Sequence, residues 1–414
     1  MSLLAQRFRD ITSKSKDKTM SMEAKGNICY STGFVTFDFL NGYLVHVQNE
    51  KKNLNYKYYN CGIQDGTMNL FIGRSQSGKT TFAMQSGFNI IKDYPTACFF
   101  HDDVEGGIND ARKRVLTGLP MEALKEKYIC RDAGVHTENF YERIRMIYEE
   151  KLNNYKDYSY DTGVLGESGD PLIKLEPTVY LLDSMAMLCS KDLADEAGLP
   201  SPMQIPGIAK KNTTMLRQIT PMLKAANIIL FVINHLLPEI SIMPKKGQLR
   251  YLKPGERITA GETQILLASN TIRFDDSKLK EKDGMGFEGA FVDVSLVKSR
   301  QNISGRAVTM VFDPKIGYDP DLSLLALLKA NGKINGQGQG MYLFDRDDVK
   351  FSQKKFKEKL NDENETEFYD LVMSSVMEVL KSMVIENDDS KILNRNERFS
   401  SGILAKMNSM VKAA

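Results

Sequence analysis

The run Gly73-Arg74-Ser75-Gln76-Ser77-Gly78-Lys79-Thr80-Thr81 matches the pattern G-x-x-x-x-G-K-T in full and limits this chain to few architectures. An apolar stretch with Met68, Leu70, Phe71 and Ile72 precedes it, and a helix-like segment over residues 80–91 follows. Strand, loop and helix in that order are the setting in which such a loop wraps a polyphosphate. Gly73 and Gly78 let the backbone approach the anion closely, and the N–H groups and positive dipole end of the helix attract it. Lys79 is placed to reach the β and γ phosphates, and the Thr80 hydroxyl to ligate Mg²⁺. The expectation is a nucleoside triphosphate site over residues 73–81, taking ATP with Mg²⁺.

Short apolar runs recur after that loop, at residues 96–101, 179–183 and 228–234, with helix-like text between them. Strands alternating with helices imply an α/β fold whose largely parallel sheet is covered on both faces. Residues 291–298 and 307–313, around a short turn, predict an antiparallel hairpin at one sheet edge. Residues 34–40 read as strand-like, 48–60 as a polar surface insertion and 153–170 as a loop excursion, with one or two helices between Glu105 and Val179. The chain divides into an N-terminal segment (1–33), a core (34–335) and a small helical C-terminal appendage (336–414). A net charge of +2 confines any nucleic-acid surface to a local patch. Five scattered cysteines with no C-x-x-C pair read as reduced thiols of a cytoplasmic protein, and the four histidines lack metal-ligand spacing. No secretory signal and no apolar run of membrane length is found, so no membrane partner is expected.

Val179-Tyr180-Leu181-Leu182-Asp183-Ser184 is an apolar strand ending in a carboxylate. An Asp in that position beside a phosphate loop holds Mg²⁺. Hydrolysis also needs a group that polarises the attacking water. Asp102, Asp103 and Glu105 lie just past a strand; Glu105 is the first choice and Asp103 the second. The run 228–234 ends at Asn234 and His235. His235 either senses the γ phosphate and passes its state to the next loop, or hydrogen-bonds the adjoining backbone.

Several fragments, in order, resemble those of the RecA-type recombinases, closest in character to the phage UvsX-like branch. Gly33-Phe34-Val35-Thr36-Phe37-Asp38-Phe39-Leu40 resembles the family's T-G-x-x-x-L-D-x-x-L. Gly62-Ile63-Gln64-Asp65-Gly66 is similar to the turn before its phosphate strand, and Asp183-Ser184-Met185-Ala186-Met187-Leu188 resembles its D-S-x-A-x-L. Ile233-Asn234-His235 resembles the strand end that leads into its second DNA loop. Lys298-Ser299-Arg300 resembles its paired basic residues, and Gly317-Tyr318-Asp319-Pro320 with Leu324-Leu325 its G-I-D-P … L-L ending. The resemblance spans residues 30–335 and implies a RecA-like phosphate-loop ATPase core. The activity it implies is DNA-dependent ATP hydrolysis by a filament on single-stranded DNA that pairs and exchanges strands with double-stranded DNA in recombination and repair. ATP would lie between adjacent subunits, with residues 1–33 serving polymerisation. Glu105 and Lys79 would be catalytic within one subunit, and Lys298 and Arg300 would reach the neighbour's γ phosphate. Single-strand-binding and loader proteins are further partners, and the host cytoplasm the compartment for a phage-borne chain. A hexameric replicative helicase motor built on the same core is the alternative.

Two segments are candidates for DNA contact. Residues 244–257 carry Lys245, Lys246, Arg250, Lys253 and Arg257 against one acid, Glu256, in a glycine- and proline-marked loop after His235. Those cations suit phosphates, and Tyr251 or Leu249 suits a place between bases. Gly261, with Thr259 and Ala260, marks a loop-to-helix turn that by resemblance approaches the DNA backbone. The proline-rich segment 194–211 leads to Lys211, which by resemblance contacts phosphate and otherwise is ordinary surface-helix charge.

Overall fold

The computed structural model describes residues 26–49, 52–166, 169–192, 205–238, 251–277 and 289–386. Helix α1 (Val35–Leu40) and the hairpin β1 (Tyr43–Asn49) and β2 (Leu54–Asn60) come before β3 (Met68–Gly73). Next are α2 (Lys79–Ile91), β4 (Phe99–Asp103), α3 (Asp110–Thr117), β5 (Tyr128–Arg131) and α4 (Thr137–Asn153). A second hairpin, β6 (Ser159–Leu165) and β7 (Pro171–Leu175), leads to β8 (Thr178–Asp183), α5 (Ile205–Ala226) and β9 (Ile228–Pro238). Then come β10 (Glu256–Ile258), α6 (Thr263–Leu267) and β11 (Asn270–Ser277). After them lie β12 (Ala290–Ser299), β13 (Arg306–Asp313), β14 (Gly317–Asp319) and α7 (Pro320–Ala330). The described chain closes with β15 (Ile334–Gly336), β16 (Met341–Phe344), β17 (Lys350–Ser352) and α8 (Thr366–Met383).

The central sheet has the order β14-β13-β12-β11-β3-β9-β8-β4-β5, with β10 paired to β9 beside this row. The strands from β11 to β5 are parallel, and β12, β13 and β14 continue the sheet antiparallel. The fold is therefore α/β with a large mixed, mostly parallel sheet. Its inner strands are apolar on both alternations. Phe71, Leu181 and Phe231 join Phe82 and Phe88 of α2 on one face. Leu70, Leu182 and Leu230 join Phe140 of α4 and Ile219 of α5 on the other. Successive side chains of a strand point to opposite faces, so a strand covered on both sides reads as one unbroken apolar run. Full burial contributes about 1.5–3 kcal/mol per such side chain, which makes β3, β8 and β9 the rigid base of everything at their C-terminal ends.

Four expectations are corrected. Residues 35–40 are helical: Phe34, Phe37 and Leu40 join one core, and Val35 and Phe39 pack against another, so both faces are apolar and the text mimics a strand. The 48–60 insertion is built as the hairpin β1–β2 outside the central sheet, whereas 153–170 is not a loop: residues 155–158 are helical and 159–165 form β6, paired with β7. Among the described residues four helices, not one or two, lie between Glu105 and Val179: α3, α4 and the short helices Met121–Lys127 and Tyr155–Tyr158. The C-terminal part is not wholly helical, since β15, β16 and β17 form a small separate sheet. That sheet shares a core with α7 and α8 through Leu325, Leu328, Phe344, Phe351 and Val376. No helix among the described residues is long and apolar enough to cross a membrane.

Candidate functional site

The loop from Gly73 to Gly78 joins β3 to α2, and Ser77 and Lys79 are buried within it. Gly78 has φ +86°, and a Cβ there would stand 2.4 Å from the Tyr318 hydroxyl, so only glycine fits. The loop thus rests on Tyr318 of β14, whose hydroxyl also lies 3.4 Å from the Ser77 carbonyl. Arg74, Ser75 and Gln76 are exposed, while Thr80 and Thr81 are half-buried on the first turn of α2. Lys79 Nζ donates to the Arg74 carbonyl at 2.6 Å and the Gly73 carbonyl at 3.2 Å. Burial pushes the Lys79 ammonium down to about 8, against the opposing pull of Asp183 and Glu105.

Parallel pairing brings the ends of β4 and β8 together, with Asp183 level with Asp103. Thr80 Oγ1 donates to Asp183 Oδ2 at 2.6 Å, tying α2 to that strand end. Burial raises the Asp183 carboxyl to about 7; the Thr80 hydrogen bond opposes the rise, and the nearby Glu105 and Asp103 add to it. A buried carboxyl among other carboxylates is where a cation is most stabilising. Thr80 and Asp183 supply hard oxygen donors, and no cluster of three or more metal-ligating His, Cys, Asp or Glu occurs among the described residues. A two-donor set suits Mg²⁺, which takes its other ligands from phosphate and water.

Glu105 Oε1 accepts from Ser184 Oγ at 2.6 Å and from His235 Nε2 at 2.7 Å. Burial raises this carboxyl, but the Ser184 and His235 hydrogen bonds outweigh it and hold the group below the usual glutamate range. Its side chain is 40% exposed, so the ionised group keeps access to solvent. Asp103 is engaged differently: its carboxylate accepts the Gly106 and Gly107 N–H groups at 2.9 and 3.1 Å and shapes the turn. Asp102 points to the opposite face, paired with Arg143 at 2.6 Å and bonded to Tyr180. Glu105 is the carboxylate of the three that is accessible, since Asp102 and Asp103 are buried.

His235 adjoins Asn234, whose amide is fully buried. Asn234 Nδ2 donates to Gln264 Oε1 at 2.8 Å and to the Thr259 carbonyl at 3.0 Å, and Asn234 Oδ1 accepts from the Thr259 hydroxyl. Gln264 Nε2 in turn donates to the Thr259 and Gly261 carbonyls, each at 2.7 Å. Gly261, at φ +91°, makes the turn into α6. The text of residues 259–264 carried the glycine turn but gave no sign of the Asn234–Gln264 contact, which exists only because β9 ends beside that turn.

Lys298 and Arg300 do not reach their own loop. Lys298 pairs with Thr271, which pairs with Leu70 near the start of β3, whereas the loop leaves β3 at Gly73. At about 3.3 Å per residue the two lie roughly 10 Å apart along the strands, and β11 intervenes. Lys298 Nζ donates to the Ile265, Leu266 and Ala268 carbonyls at 2.6, 2.9 and 2.7 Å, and Arg300 to that of Leu266 at 2.9 Å. Burial, then the neighbouring Arg300 charge, pushes Lys298 down to about 8.

Of the DNA candidates, Lys245, Lys246 and Arg250 lie outside the described residues. Lys253 pairs with Asp275 at 3.0 Å, and Arg257 is exposed on β10. Glu256, the acid of that segment, is bound to buried Arg273 by two bonds of 2.6 and 2.7 Å, which pins the segment's end to β11. Lys211 sits in exposed ion pairs with Asp192 at 2.7 Å and Glu138 at 3.8 Å. Pairs of that kind are worth little and are readily exchanged for a phosphate. In comparisons with known proteins, no family model and no curated protein matches this chain.

Proposed function

We propose that this chain is a RecA-type DNA-dependent ATPase that assembles on single-stranded DNA and promotes strand pairing and exchange. The observation that carries the reading is the convergence of four elements: Lys79 in its loop, Thr80 on Asp183, and Glu105 on Ser184 and His235 meet at the C-terminal ends of β3, β8, β4 and β9. In open α/β sheets that is where ligands bind. The loop N–H groups and Lys79 would cradle the triphosphate, and Thr80 and Asp183 would hold Mg²⁺. When bound, Mg²⁺ neutralises phosphate charge. Glu105, ionised and oriented by Ser184 and His235, would align the attacking water. The cation that offsets transition-state charge comes from the next subunit, because Lys298 and Arg300 stand too far from their own loop. Hydrolysis then depends on assembly. Residues 245–257 would grip phosphates, and base pairing, not the protein, would read sequence.

Phosphate release measured with and without single-stranded DNA, with electron microscopy in a non-hydrolysable ATP analogue, tests this reading. It expects DNA-stimulated release and open helical polymers. Closed six-membered rings, or release indifferent to DNA, would overturn it.

A further inference from the structure

The five-residue helix α6 is held at both ends by groups that belong to the candidate site. Its first turn is fixed by Gln264, which is buried and hydrogen-bonded to Asn234, the residue before His235. His235 is bonded to Glu105. Its C-terminal carbonyls are clasped by Lys298 and Arg300. An ammonium has three N–H donors, and those of Lys298 all point at carbonyls of residues 265, 266 and 268. Lys298 therefore cannot keep this grip and also contact a phosphate of a neighbouring subunit.

We infer that Gln264 is a positioning residue that links the state of Glu105 and His235 in one subunit to the release of that same subunit's Lys298 and Arg300 toward its neighbour. This rests on the shared-site reading above. A change at Glu105 and His235 moves Asn234; Asn234 moves Gln264 and the first turn of α6; and a shift of α6 takes the carbonyls away from the two cations. The coupling has a direction. A subunit's own site governs the cations it donates, not those it receives.

The test uses full-length Gln264→Met, which keeps side-chain volume and removes all three amide bonds. It should bind a fluorescent ATP analogue normally and lose DNA-stimulated turnover by about tenfold or more. Mixed filaments then separate donor from acceptor. Glu105→Gln keeps a side-chain oxygen that can accept from Ser184 and His235, so the link to Asn234 and the release of its own cations persist while water activation is lost. Mixing it with Gln264→Met should restore turnover, and the restoration itself shows that Gln264→Met is folded. Subunits carrying Lys298→Ala and Arg300→Ala should restore nothing. Restoration by both partners, by neither, or only by the cation-less one overturns the inference. Should Gln264→Met not fold, Thr259→Val removes one hydroxyl of the same network and must give the same one-sided pattern. Absence of DNA-stimulated turnover in the unaltered chain would instead sink the reading of the site, and the inference with it.

Discussion

Lys79 and Asp183 bring opposite charges into one buried corner, and burial works against both. The ammonium is pushed down to about 8 and the carboxyl up to about 7. Lys79→Ala should abolish ATP turnover, checked by phosphate release; an unchanged rate would remove the loop from the mechanism. Glu105→Gln should keep nucleotide affinity and lower turnover by roughly 10²–10⁴, the usual worth of a positioned base. Asp183 makes a pH prediction. Its carboxyl is raised from 3.8 to about 7, so the folded chain binds that proton more tightly than the unfolded chain. Its contribution to stability is full below about pH 4 and is lost as pH rises through about 7. Asp183→Asn should therefore raise the Tm of the nucleotide-free chain at pH 8 by a few degrees, with the gain shrinking toward pH 5. A lower Tm at pH 8 would contradict the burial argument. At this scale Lys79 and Thr80 were legible because a motif fixes their spacing, and Asp183 because it ends an apolar strand-like run. Glu105 was already preferred to Asp103, but the reason that separates them was not legible: the Gly106 and Gly107 amides occupy the Asp103 carboxylate.

Among elements, α6 and β12 carry the most consequence. Replacing both Lys298 and Arg300 with alanine should lower DNA-stimulated turnover by about 10³-fold while nucleotide binding persists, as expected for cations that act on transition-state charge. Normal turnover in that variant would reject the trans contact. The same elements show where the text misleads. Strands β3, β8 and β9 announced themselves because burial on both faces demands unbroken apolar runs. Strand β11 did not, since its Arg273 and Asp275 are polar and are satisfied by one another and by Glu256. Helix α1 hid for the opposite reason. Its two buried faces make four of its six residues apolar, and the buried polar Asp38 accepts the Thr32 N–H and hydroxyl at 3.0 and 2.6 Å.

For the whole molecule, the parallel order β11-β3-β9-β8-β4 gathers loop, carboxylates and histidine at one end and leaves Lys298 and Arg300 toward the other. That separation, invisible before the sheet order is known, is what makes a site shared between copies the simplest reading. Replacing Lys245, Lys246 and Arg250 with alanine should weaken DNA binding and flatten its dependence on salt, by about one unit of slope for each phosphate that is no longer neutralised. An unchanged slope would remove that segment from the DNA surface. The claim that one copy completes its neighbour's site is tested most directly by mixing two inactive proteins, Glu105→Gln and the Lys298→Ala, Arg300→Ala double variant, on single-stranded DNA. Turnover should return in the mixture, because some seams then pair an intact glutamate with intact cations. A mixture as inactive as its parts would contradict it.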